Sequence, residues 1–149
     1  MSRSSLVLLI AALAGCAHAA PPPAQFVPRP GPGSYPFSEA VIANGMIYLA
    51  GTLGTDSTGK LVPGGIAPET KQAMENIQAT LARNGATMND VVKCTVFLAD
   101  MQEWAAMNGV YRTFFTTHFP ARSAFGTTGL ALGARTEIEC IAQLPPPSK

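Results

Sequence analysis

A chain of 149 residues in which 10 Lys and Arg nearly balance 9 Asp and Glu, for a net charge of +1, has room for one ordinary domain and excludes two large ones. With so small an excess and no Lys/Arg cluster, there is no counterion-release term for holding a phosphate backbone, and nucleic acid is not expected as a partner. The hydrophobic fraction of 47% describes a globular core only after an N-terminal block is set aside.

Arg3 opens that block, and Leu6 to Ala14 is an unbroken run of nine apolar residues. As a helix it would span about 14 Å, against roughly 30 Å for a bilayer core. The pattern predicts a signal peptide over residues 1–15 rather than a membrane span. Leu13-Ala14-Gly15-Cys16 has the form of a bacterial lipobox, and Ala17-His18-Ala19 that of an ordinary signal-peptidase site. We expect the lipobox to be used, because Cys16 lies directly against the apolar run. The mature chain would then touch a membrane only through lipid on Cys16, in the periplasm and at the outer membrane. The alternative is a soluble periplasmic protein cut before Ala20.

Residues 16–33 hold six of the 13 prolines and predict an extended tether. Pro145 to Pro147 mark a tail over 145–149, which leaves residues 34–144 as the domain. Ala40–Ala43 and Met46–Gly51 flank Asn44-Gly45 and predict a type I′ hairpin. Gly54 to Gly65 reads as a loop. Pro68, Glu69 and Thr70 open a helix whose Met74, Ile77 and Leu81 share one face, and Gly85 closes it. Val91–Leu98 predicts a buried strand.

Asp100 and Glu103 form a capping-box pattern ahead of a second helix with Trp104, Met107, Tyr111 and Phe114 on one face. Gly109 within it predicts a close contact. Ser123–Gly126 and Thr136–Ala142 are two further strands. The order predicts an α+β domain with one sheet and both helices on one face. The bare face is most economically buried by another copy of the chain.

Few side chains offer chemistry. Of two histidines, His18 precedes the domain, and His118 reads as a capping or core residue. No ligand-spaced cluster predicts a metal, and no glycine pattern predicts a nucleotide. Cys94 and Cys140 are expected as buried free thiols, the usual state of cysteine in a core. Arg122, in Pro120-Ala121-Arg122-Ser123, and Glu137, in Thr136-Glu137-Ile138-Glu139, remain. A guanidinium can clamp a carboxylate and a nearby carboxylate can orient water. The plain alternative is a cross-strand ion pair, and one sequence does not separate the two.

Several blocks occur in order: Pro36-Phe37-Ser38-Glu39-Ala40-Val41, Tyr48-Leu49-Ala50-Gly51, Val91 to Leu98, Asn108 with Tyr111, Phe114 and Phe115, Pro120-Ala121-Arg122-Ser123, and Glu137-Ile138-Glu139. Together they resemble the RidA (YjgF) family of reactive-intermediate deaminases over residues 34–144. The resemblance implies a chorismate-mutase-like α+β fold and a homotrimer with ligand clefts between subunits. It further implies cofactor-independent hydrolysis of a 2-imino acid, or its enamine, to a 2-oxo acid and ammonia. In that reading Arg122 clamps the α-carboxylate and Glu137 positions the attacking water. Gly51, Asn108 and Phe37 shape the pocket, with Phe37 reaching across an interface.

A carboxylate beside a guanidinium is expected to stay ionised at neutral pH. Phe37, Thr52 and Ala124 depart from the family pattern, where Tyr, Gln and Cys are common, which predicts a drier pocket suited to a larger or more apolar imine. A small-carboxylate-binding or holdase-like module using the same clefts is the alternative. An endoribonuclease reading, also attached to such proteins, is disfavoured by the neutral charge.

Overall fold

The structure, a computed structural model, describes residues 22–30 and 35–146. Residues 1–21, which carry the expected signal peptide and Cys16, lie outside them. Among the described residues seven strands and two α-helices follow in chain order: β1 (Gln25–Val27), β2 (Ala40–Ala43), β3 (Met46–Leu49), β4 (Thr52–Leu53), α1 (Ile66–Arg83), β5 (Val91–Leu98), α2 (Trp104–Tyr111), β6 (Ala121–Gly126) and β7 (Thr136–Gln143). Among the described residues the strands make one sheet in the order β1-β2-β3-β7-β5-β6, with the short β4 also paired to β7. Only β5 and β6 run parallel, and the helix α2 supplies their crossover.

The β2–β3 hairpin turns at Asn44 (φ 51°) and Gly45 (φ 75°), the left-handed pair that a type I′ turn demands. α1 starts at Ile66, so Pro68 lies in the first turn, where a missing N–H loses no bond. At its other end Gly85 adopts φ 78°, and the Gly85 and Ala86 amides donate to the carbonyls of Ala82 and Leu81, a glycine closure of the Schellman kind.

The alternation in β7 sorts its residues cleanly. Thr136, Ile138, Cys140 and Ala142 are buried under the helices, while Glu137, Glu139, Ile141 and Gln143 take the other face. Met74, Ile77 and Leu81 of α1 and Met107 of α2 are fully buried with Ile138, Val96 and Leu98. The second sheet face is open. Along its register rows lie Phe26, Val41, Tyr48 and Ile141 in one line, and Leu53, Glu137, Phe97 and Phe125 in another. Phe26, Tyr48 and Phe125 are exposed in the protomer, an apolar surface of the kind that copies of a chain bury against one another.

Five expectations are corrected. Gln25–Val27, placed in the tether, instead pair with β2 as an edge strand, because the four residues between Pro23 and Pro28 are free to donate. Glu103 caps nothing. Asp100 accepts the Gln102 amide to start a short 3₁₀ turn, and the reciprocal capping box lies at Thr87 and Asp90. Gly109 meets nothing within 4 Å of a Cβ position, and His118 is exposed in the loop beyond α2.

The fifth correction concerns the cysteines. Cys94 and Cys140 are direct cross-strand partners on β5 and β7 and form a disulfide, with Cα atoms 4.1 Å apart. So close an approach is that of a non-hydrogen-bonded antiparallel pair, whose side chains face each other. The bond closes a sequence separation of 46 residues and, in the chain-entropy account, contributes about 4 kcal/mol. The expected outcome is a lower denaturant midpoint when the protein is unfolded and refolded in reductant, matched by Cys94→Ala/Cys140→Ala. Equal midpoints with and without reductant would refute a stabilising bridge.

Candidate active site

Arg122 lies on β6, the strand at the sheet edge, in register with Cys94 and on the helix side. Its guanidinium carbon stands 4.5 Å from the ring centroid of Tyr111 and 5.8 Å from that of Trp104. Both rings belong to α2. Trp104, Asn108 and Tyr111 follow the i, i+4, i+7 stripe of one helix flank, so Asn108 shares the flank that faces Arg122. The ion pairs among the described residues are Lys71–Glu75, Arg83–Glu39 and Arg135–Glu103. Arg122 takes part in none of them.

Glu137 projects from the opposite sheet face. Its register neighbours are Leu53 on β4 and Phe97 on β5. Burial pushes its carboxyl above the usual carboxylate range, and the like charge of Glu139 adds to the rise. This corrects the expectation of an acid held ionised by a neighbouring guanidinium. It also removes the cross-strand ion pair, because Arg122 and Glu137 cannot meet through the sheet.

Gly51 fixes where the Glu137 carboxylate rests. A Cβ built on Gly51 would overlap Glu137 Oε1 and stand 2.9 Å from Cδ, so this position must lack a side chain if the acid is to fold back over the β3–β4 junction. Phe37, 47% exposed and 5.5 Å from the Tyr35 ring, lines an open cavity of about 640 Å³ with Gly51, Thr52, Glu39 and Arg83. The predicted site residues therefore fall into groups, Arg122 with Asn108 beside α2, Glu137 with Gly51 at the β3–β4 junction, and Phe37 on the cavity that Gly51 shares with Arg83 of α1. Within one protomer they do not converge.

One residue ties the Arg122 and Glu137 groups to a common frame. The backbone N–H of Arg135 donates to the buried Glu69 carboxylate at 2.8 Å, which anchors the start of β7 two residues before Glu137. The Arg135 guanidinium holds both Glu103 oxygens at 2.9 Å through Nε, immediately before Trp104. Sequence reasoning gave Glu103 to a cap and missed this clasp, since nothing local connects residues 103 and 135.

Among the described residues, this α+β domain with one bare sheet face carries Arg122 without an acidic partner and Glu137 without a basic one. The family model described as Endoribonuclease L-PSP matches residues 30–144, and the chain belongs to this family, the RidA (YjgF) family. It is similar to the 2-iminobutanoate/2-iminopropanoate deaminase of Capra hircus, 46% identical over 108 residues that cover 72% of this chain and 79% of that one. The crystal structure of RidA from the Antarctic bacterium Psychrobacter sp. PAMC 21119 matches with a TM-score of 0.72 at 33% identity, over 76% of this chain and 92% of that one. E. coli TdcF with bound serine matches with a TM-score of 0.74 at 26% identity, over 81% of this chain and all of that one.

The export reading is corrected by the same comparisons. The curated relatives include proteins of mammals, an insect and a plant chloroplast, and mammals and insects have no periplasm. Family membership thus lends nothing to signal peptide, lipoprotein or periplasm as descriptions of this chain, and those descriptions are dropped.

Because only the mobile end of Glu137 stands in its way, Gly51→Ala is expected to keep the fold and to drive the carboxylate off the β3–β4 junction toward solvent. The melting temperature should move by no more than about 4 °C, while the Glu137 carboxyl, followed by carbon-detected NMR titration, should return toward the ordinary range. An unchanged titration would show that the glycine does not set the position of the acid.

Proposed function

We propose that this chain is a cofactor-independent deaminase that adds water to 2-imino acids and releases 2-oxo acid and ammonia, working in clefts between the copies of a homotrimer. The observation that carries this reading is Arg122, a cation at the sheet edge with an aromatic floor and no acidic partner among the described residues. Placed against a neighbouring copy, it supplies a cation to Glu137, which has no ion-pair partner among the described residues of its own protomer.

The chemistry asks little of the protein. A protonated imine is already electrophilic at C2, so fixing its carboxylate and placing a water supply most of what the reaction needs. Arg122 offers parallel N–H donors to the carboxylate. Glu137, ionised, accepts a hydrogen bond from the water and aims its oxygen at C2. Attack forms a C–O bond as the C=N π pair moves to nitrogen, and one proton of the attacking water passes through solvent to that nitrogen, making it a leaving group. Loss of ammonia from the resulting carbinolamine, with the hydroxyl proton passing to solvent, restores a carbonyl. Asn108, on the helix flank facing Arg122, and Phe37, on the cavity beside Gly51, border the cleft. Phe37, Thr52 and Ala124 supply no phenol, amide or thiol there, which favours apolar side chains on the imine.

Imine produced by an amino acid oxidase should be consumed faster with the protein than in buffer. Arg122→Ala is expected to lower kcat/KM by about 10²-fold, the loss of two charge-assisted hydrogen bonds at about 1.5 kcal/mol each. Carboxylate binding that disappears in this variant, with no acceleration by the parent protein, would instead identify a binding module.

Since Glu137 acts ionised and its carboxyl titrates above the usual range, kcat/KM should rise with pH through that raised value and level off above it. Glu137→Gln should abolish the rise. A profile flat across the acid range in the parent protein would remove Glu137 from the water-orienting role.

A further inference from the structure

Arg122 is held in an unusual way for a half-buried cation. Among the described residues it has no carboxylate partner, and its contacts are two π faces from one helix flank, Tyr111 at 4.5 Å and Trp104 at 5.8 Å. A carboxylate would have occupied the N–H edges of the guanidinium. An aromatic face attracts the charge through the ring quadrupole and leaves those donors free.

The two rings are anchored differently. Tyr111 is 3% exposed and wedged against Phe115, with centroids 5.0 Å apart. Its phenol is buried with no hydrogen-bond partner, and burial pushes its pKa up to about 12, so the ring stays neutral and keeps its electron-rich face. Trp104 is 40% exposed, but the residue before it is clasped by Arg135, which fixes the first turn of α2 against the start of β7.

From this geometry we infer that Trp104 and Tyr111 are positioning residues for the deaminase reaction, an aromatic shelf that orients the Arg122 fork toward the substrate carboxylate without consuming its donors. The inference rests on the deaminase reading above. It assigns the two rings a role in substrate binding and none in the attack of water, so their loss falls on KM.

The test uses the full assembly with pyruvate as the carboxylate probe. Trp104→Leu should raise the calorimetric Kd for pyruvate and the KM for imine by roughly threefold to tenfold, with kcat within about twofold. Trp104→Phe restores a π face and should recover most of the loss. Tyr111→Phe keeps the face, removes only the unpartnered hydroxyl, and should bind like the parent. A loss equal in Trp104→Leu and Trp104→Phe, or a loss in Tyr111→Phe, would show that shape or the hydroxyl matters rather than the face, and would overturn the inference.

A measurement on the unaltered protein stands beside the variants. Trp104 is the single tryptophan of the chain, so pyruvate binding at Arg122 should change its fluorescence with the calorimetric Kd, and Arg122→Ala should abolish the change. Binding with silent fluorescence would also overturn the shelf. If Arg122→Ala leaves pyruvate affinity and imine hydrolysis intact, the deaminase reading itself fails. If it abolishes both while the Trp104 variants change nothing, only the shelf fails.

Discussion

The antiparallel pairing of β5 with β7 sets almost everything else. It brings Cys94 and Cys140 face to face, carries β6 on its far side and β3 and β4 on its near side, and decides by strict alternation which residues enter the core. A slip of one residue would send Ile138 and Cys140 to the open face and bury Glu137 and Glu139 beneath the helices. The irregularity between Val91 and Lys93 absorbs one residue at the beginning of β5, before the rows that hold Cys94, Thr95 and Phe97.

That alternation separates the two charged groups that matter most. Arg122 shares the row and side of Cys94 and faces the helices, whereas Glu137 shares the row of Phe97 and faces away. Among the described residues each is left without an ion-pair partner. An acid raised by burial and by Glu139 and a cation resting on aromatic rings thus lie on opposite faces of one sheet, and the proposed reaction brings them together through a second copy. The same bare face that exposes Phe26, Tyr48 and Phe125 also presents the acid.

Much of the architecture was legible locally. Asn44-Gly45 encoded its turn, Met74, Ile77 and Leu81 their helix face, and the β-branched run from Val91 its strand, because each signal rests on backbone preference or on period alone. The blocks around Arg122 and Glu137 likewise pointed to the right family. Legibility failed where two distant segments meet. Gln25–Val27 looked like tether among prolines until β2 offered them hydrogen bonds. Glu103 looked like a cap until Arg135 arrived. The two cysteines looked like ordinary core thiols until register made them opposite neighbours.

The chain's order of residues therefore determined by itself the kinds of element, their succession, the family and the identity of the two charged side chains, since these follow from local conformational energies and residue chemistry. The tertiary structure alone decided that those side chains lie on opposite sides of one sheet, that Gly51 makes room for the acid and that α2 floors the arginine with rings. Register, facing and contact depend on how separated segments pack, and no local preference encodes them.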